Sequence, residues 1–291
     1  MPLYIACHEQ WQNNTAADFS PLLLEDSSLQ MEYCVEEFVQ KRGGRGDLLQ
    51  DIFELTNPCS EEQPYILLPN GCAVMLFILH PHASACYLCG PLTAARRIFV
   101  PAGGVFLCAR LKPGRLGWLG KRVSAGLPDR AIPLQMCFAD ADALLERLTC
   151  LGTFYERCNE LLGYLNKKKA NEFCADPVIQ TCIDWINESR GKCRIHELAR
   201  EVSRSERFLS RTFRDATGLP MKTYSEIIKF QDSFYWILTQ QPRNLSGVVK
   251  DYGYYDLPHM NRAYRKFINY TASDVRFVSM HELYVRDLLS E

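Results

Sequence analysis

SRSERFLSRTFRDATGLP occupies residues 203–220. Around a helix with Arg204 at zero, Arg207, Arg211 and Arg214 fall at about 300°, 340° and 280°. Leu209, Thr212, Phe213 and Ala216 fall at about 140°, 80°, 180° and 120°. One face is therefore basic and the opposite face small or apolar. Ser205 has the side chain of a helix N-cap and Gly218 that of a natural stop. The preceding CRIHELAREVSRS (193–205) puts Ile195, Leu198, Ala199 and Val202 on one face of a second short helix. Two such helices joined at Ser203-Arg204 make a helix-turn-helix. In that motif the second helix enters the major groove, where an arginine fork can pair with guanine or grip phosphate.

The pattern returns in LSGVVKDYGYYDLPHMNRAYRKFINYTAS (245–273). Ile195, Leu198 and Ala199 match Leu245, Val248 and Val249, at an offset of 50. Past Gly253 the offset becomes 51, and Leu209, Arg211, Phe213, Arg214 and Gly218 match Met260, Arg262, Tyr264, Arg265 and Asn269. The two units, about 193–218 and 245–270, are joined by MKTYSEIIKFQDSFYWILTQQP, long enough for one connecting helix. The charge distribution agrees. The 291-residue chain carries a net charge of -1, but residues 190–276 hold 16 Lys+Arg against 9 Asp+Glu, whereas residues 1–175 hold 16 against 19. A basic C-terminal segment on a slightly acidic body points to a polyanionic partner.

Residues from about Asp176 to Val278 resemble the DNA-binding domain of the AraC/XylS transcriptional regulators. The matching features are IHELAREV..S...LSRTF....G in the first unit and YGYYD...MNRAYRKF in the second. The resemblance implies a monomeric seven-helix module with one helix of each unit in the major groove. By position it assigns DNA contacts to Glu206, Arg207, Ser210, Arg211 and Arg214 in the first unit. In the second it assigns them to Asp256, Leu257, His259, Asn261, Arg262 and Arg265. The sequence departs from the family at Arg204, where a small apolar residue is usual. It departs again at Asn269, where glycine is usual, and at Ala272, where proline is usual. Pro258 falls near the start of the second reading helix, where a first turn tolerates it.

The N-terminal half reads β-rich. Asn70-Gly71 lies between the apolar runs of PYILLPNGCAVMLFIL (64–79) and predicts a hairpin. ACYLCGP, RRIFVPAGGVFLCARLKPG and RAIPLQMCF follow as short strands punctuated by Gly and Pro. SLQMEYCVEEFVQ (28–40) reads as either strand or helix, and RGGRGD (42–47) as a loop. LPNGCAVMLFIL, LCGP and ARLKPG come in the order seen in the cupin-like β-barrel sensor domains of some AraC-type regulators. That resemblance implies a domain that binds a small effector or holds a dimer. The expected fold is α+β with two domains. A β-rich sensor domain covers 1–139, a helical dimerisation segment and linker 140–175, and the double helix-turn-helix 176–291. From Asp140 the leucines fall at helical spacing, with Gly152 dividing two helices. That stripe suits packing on the chain's own barrel and dimerisation equally well.

Candidate chemistry in the N-terminal half is sparse. Phe77, Tyr87 and Trp118 are candidate pocket-lining residues, and Arg97 and Arg110 would suit an anionic effector there. His80, His82, Cys86 and Cys89 form H-x-H then C-x₂-C, the residue types of a zinc or copper site. On a strand, however, Cys86 and Cys89 point to opposite faces. No nucleotide-binding loop, nucleophile elbow or H-E-x-x-H motif is present. Nor is there the Pro-Cys-His-Arg tetrad of the alkyltransferases fused to some family members; Pro58-Cys59 is followed by Ser60-Glu61. We expect no cofactor and no catalysis.

The start, MPLYIACHEQWQNN, lacks the basic and apolar regions of an export signal. The 13 cysteines then read as reduced thiols of a cytoplasmic, nucleoid-associated protein. The expected partners are double-stranded DNA, a small effector, a second copy of the chain and RNA polymerase, with no membrane. Three alternatives stand beside this reading. They are a metal- or thiol-responsive regulator, a DNA-targeted enzyme, and a protein-interaction module that no longer binds DNA.

Overall fold

The computed structural model describes residues 30–34, 48–119, 126–168 and 175–275. Most of 28–40, all of 42–47, residues 169–174 of the expected linker and the residues after 275 lie outside it. Six antiparallel strands form one sheet in the order β1-β2-β7-β4-β5-β8. They are β1 (Gln30–Cys34), β2 (Leu49–Thr56), β4 (Val74–Leu79), β5 (Ala85–Cys89), β7 (Val105–Leu111) and β8 (Ala131–Pro133). A two-stranded ribbon pairs β3 (Gln63–Leu67) with β6 (Arg96–Val100).

This pairing corrects the expected hairpin at Asn70-Gly71. β3 pairs with β6, while β4 pairs with β5 and β7, so the two strands flanking Gly71 belong to different sheets. Gly71 takes φ +72, as a tight turn needs, and a Cβ there would lie 2.5 Å from the Tyr224 ring. The turn residues were legible, but packing against a distant helix decided where the chain went.

Strand alternation divides the sheet into two buried faces. Ile52, Met75, Phe77, Leu88 and Leu107 face α1 (Ala141–Cys150) and α2 (Phe154–Lys167). Thr153 starts α2 with a reciprocal capping box to Glu156, so Gly152 falls in the break between the helices, as its sequence position implies. The leucine stripe, Leu144, Leu145, Leu148, Leu161, Leu162 and Leu165, is buried on this sheet. Tyr155, on the same helical repeat, stays 48% exposed. Arg157 of α2 completes the joint, its Nη1 donating to both Glu54 oxygens at 2.8 and 2.9 Å.

Phe53, Leu55, Phe106 and Cys108 face the other way, toward the ribbon residues Tyr65 and Val100. Their core runs without interruption into that of the C-terminal helices. Seven helices are described there: α3 (Pro177–Glu188), α4 (Ile195–Glu201), α5 (Glu206–Thr217), α6 (Met221–Gln240), α7 (Ser246–Asp251), α8 (Leu257–Ile268) and α9 (Ala272–Val275). Asp176 caps α3 and Pro177 occupies its first turn. No helix among the described residues is long and apolar enough to cross a membrane.

Candidate nucleic-acid interface

The two units are built on α4–α5 and α7–α8. In the first, Ser203 takes φ +51 and Arg204 N–H bonds to Ala199 O at 3.0 Å. In the second, Gly253 takes φ +67 and Tyr254 N–H bonds to Val249 O at 2.9 Å. Each reading helix then opens on a side-chain cap. Ser205 Oγ accepts from Phe208 N at 3.2 Å, and Asp256 Oδ1 accepts from His259 N at 2.7 Å. Each closes on a left-handed residue, Gly218 at φ +80 and Asn269 at φ +61. Asparagine thus does the work of the usual glycine.

The other departures also have physical answers. Ala272 keeps an N–H that proline would lack, and donates it to Asn261 Oδ1 at 3.0 Å. That bond ties α8 to α9, and it occupies one acceptor of a residue expected to read bases. Pro258 sits in the first turn of α8, where no intrahelical bond is lost. Arg204 is exposed in the turn, its guanidinium 5.9 Å from the Phe208 ring.

The apolar faces are fully used. Leu209 and Phe213 of α5 are buried, as are Met260, Tyr264 and Phe267 of α8. Phe213 meets Tyr224 edge-on, and Tyr224 donates to Asn187 Oδ1 at 3.1 Å. Tyr264 and Tyr254 share the Ser233 hydroxyl at 2.9 and 3.3 Å. Burial drives both phenols well above the ordinary tyrosine range, so they remain protonated and able to donate. The connector α6 also holds the second turn directly, Lys229 Nζ donating to Gly253 O at 3.3 Å.

What remains outside is the basic face. Glu206, Arg207, Ser210, Arg211 and Arg214 are all exposed on α5. Leu257, His259, Arg262 and Arg265 are exposed on α8, with Asp256 and Asn261 half-buried. The structure therefore brings the expected DNA contacts together in two groups, one on each reading helix. At 20 residues α6 spans about 30 Å, close to one turn of B-DNA.

The expected effector residues are not gathered. Phe77 is fully buried toward α1 and α2, and Trp118 packs on Phe138 at 5.3 Å. Arg110 is buried on the opposite face and committed to Asp51, its Nε donating to Oδ1 at 2.7 Å. Tyr87 is half-buried on β5. Arg97 lines a cleft of about 170 Å³ between the ribbon and α8, with Ile66, Leu68, Arg96, Arg265 and Lys266.

The four metal candidates are not one site either. His80 and His82 sit in a turn with rings 5.7 Å apart. Cys86 is buried toward α1 and α2, whereas Cys89 lies on the other face of β5. Burial raises both thiols to about 11.

Sequence reasoning missed the docking of the two halves. Ala95 N–H donates to Phe267 O at 2.6 Å, Gln231 Nε2 to Pro69 O at 3.0 Å, and Arg115 Nη1 to Gln180 Oε1 at 2.8 Å. The short turn Leu116–Leu119 packs against α5. Gly114, at φ +82, lets the backbone approach Ile183. The chain's many turn glycines were the only available signal, and they do not name their partners.

Comparison with known proteins agrees with this geometry. Residues 198–277 match the family model described as a helix-turn-helix domain. The C-terminal segment carries a helix-turn-helix domain. Solved structures similar to the chain include ToxT from Vibrio cholerae in a P21 crystal form, at 10% identity and TM-score 0.39, covering 87% of this chain and 99% of that one. ToxT from Vibrio cholerae O395 gives 10% identity and TM-score 0.37, covering 87% and 98%. A search of curated proteins gives no match.

Proposed function

We propose that the chain is a sequence-specific DNA-binding transcription regulator whose two reading helices, α5 and α8, enter successive major grooves. The observation that carries this is the paired construction. Two helices with matched caps, in units joined by one connector, keep their apolar faces buried and their basic faces open. Arg207, Arg211, Arg214, Arg262 and Arg265 would set register on phosphates and read bases, with Glu206, Ser210, Asp256, Leu257, His259 and Asn261 as further contacts.

The domain plan belongs to the same proposal: a sensor domain over 1–139, a helical segment and linker over 140–175, and the DNA-binding domain over 176–291. The N-terminal half would take a small effector, and Arg97 in the cleft beside α8 would favour an anionic one. Its binding would bias how the sensor half seats on the reading units. A homodimer and contact with RNA polymerase complete the reading, with neither catalysis nor a cofactor.

Fluorescence anisotropy of the full chain tests it, on duplexes from upstream of its own gene and on scrambled controls, at several salt concentrations. Selective binding that weakens steeply with salt is expected, because phosphate contacts release counterions. Binding that ignores both sequence and salt would favour a protein-interaction module. When upstream duplexes show no selectivity, the same assay is run on fragments enriched from genomic DNA. No enrichment there overturns the proposal.

A further inference from the structure

The two reading units differ by one residue, and that residue is Tyr255. The bonds Arg204 N–H to Ala199 O and Tyr254 N–H to Val249 O align the turns at an offset of 50. The caps Ser205 and Asp256 align at 51. Tyr255 is therefore inserted between turn and cap, with no counterpart in the first unit. Its side chain is 91% exposed, the most exposed large hydrophobic among the described residues. Leu257, just past the cap, is 37% exposed, and Pro258 beside it is exposed too.

The exposure is built in. Tyr255 N–H donates to His259 Nδ1 at 3.2 Å, and the Asp256 cap holds the same turn. Tyr254 is buried on one side, its ring edge-on to His259 at 5.7 Å. With both neighbours fixed, the Tyr255 backbone is pinned and its ring stays outside. A backbone already fixed need not be ordered again on contact. The positions that open the first reading helix are charged instead: Glu206 and Arg207 stand where the second unit has Leu257 and Pro258. The caps correspond in both units, and the chemistry just past them is opposite.

Resting on the regulator reading, we propose that Tyr255 and Leu257 form an apolar tip by which the second unit recognises thymine C5-methyl groups in the major groove. The first unit reads with charge, through guanidinium groups. Among the bases, only thymine presents a methyl on that edge, and apolar side chains recognise it by contact. Both residues stand at the N-terminal end of α8, the end that a helix-turn-helix reading helix turns toward base edges.

The test starts with a duplex selected by the full wild-type chain from a random-sequence pool. Each thymine is then replaced singly by deoxyuridine, which removes only the methyl. One or more replacements should weaken wild-type binding about four-fold per methyl. Tyr255→Ala or Leu257→Ala should abolish the difference at those positions, and Tyr255→Phe should keep it. Arg211→Ala should leave it unchanged, because that residue lies on the other unit. Circular dichroism checks that the tip variants, altered at exposed positions, melt with the wild type. Wild-type binding that is selective but indifferent to deoxyuridine overturns the thymine role and leaves the regulator reading standing. So does a thymine dependence that survives both alanine variants. Failure of the wild type to enrich any sequence overturns both.

Discussion

The backbone N–H of Ala95 donates to the Phe267 carbonyl at 2.6 Å, joining the start of β6 to the last turn of the second reading helix. The carbonyls of a last helical turn lack intrahelical partners. Here the N-terminal half supplies one. The Leu116–Leu119 turn meets α5 at the other unit, so the sheet-bearing half touches both reading helices while their basic faces stay open.

Gly71 and Gly103 separate docking from backbone strain. Both have positive φ, but a Cβ on Gly71 meets the Tyr224 ring at 2.5 Å, and one on Gly103 meets nothing within 4 Å. Gly103→Ala should cost about 1 kcal/mol. Gly71→Ala should cost about 2–4 kcal/mol, because overpacking adds to the strain. Urea unfolding measures both. Equal losses would mean that the Gly71–Tyr224 approach does not limit the domain contact.

Arg211→Ala and Arg262→Ala should each weaken binding to a selected site by about 1–3 kcal/mol. Anisotropy on specific and random duplexes reads the effect. An equal loss on random DNA assigns the side chain to phosphate, and wild-type affinity removes it from the interface.

Both caps should contribute to stability. Ser205→Ala and Asp256→Ala should each cost about 1 kcal/mol in thermal unfolding, while Ser205→Thr and Asp256→Asn should retain most of it. Asp256→Asn with normal stability but altered sequence preference would show that the carboxylate also faces a base.

Arg157→Met should be among the most damaging single changes, at about 3–5 kcal/mol, because it strips the buried Glu54 carboxylate of the guanidinium bonded to both its oxygens. Adding Glu54→Gln should recover part of that loss in denaturant melts. No recovery would place the cost in lost packing on α2 instead.

Alkaline pH should destabilise the fold. Burial raises the thiol of Cys72 to about 12 from an ordinary 9.0, and moves Cys108 up as well. A pKa higher in the folded state means that the native chain keeps protons the unfolded chain releases. The stability is fully present below pH 9 and falls as pH rises from there toward 12. Denaturant midpoints at pH 8, 9 and 10 should drop more over the last step than over the first. Exposed Cys150 should react with a thiol reagent in the native state, and buried Cys72 and Cys108 only on unfolding.

The double helix-turn-helix was legible in the sequence because its determinants are local. Caps at Ser205 and Asp256, left-handed stops at Gly218 and Asn269, and arginines three or four apart each act within a turn or two of the backbone. The same locality made the break at Gly152 readable, and the alternation that parts Cys86 from Cys89. Tertiary structure decided the rest. Asn70-Gly71 has hairpin chemistry, yet Tyr224, more than a hundred residues away, takes up the space beside it. The periodicity of α1 and α2 did not say that Leu144, Leu148, Leu161 and Leu165 would pack on the sheet. Arg110 could have met an effector, and Asp51 across the ladder holds it. Periodicity tells which side of a helix or strand is apolar, because that depends on the neighbouring residues. Which surface covers that side depends on contacts between segments far apart in the chain, and only the folded molecule brings those segments together.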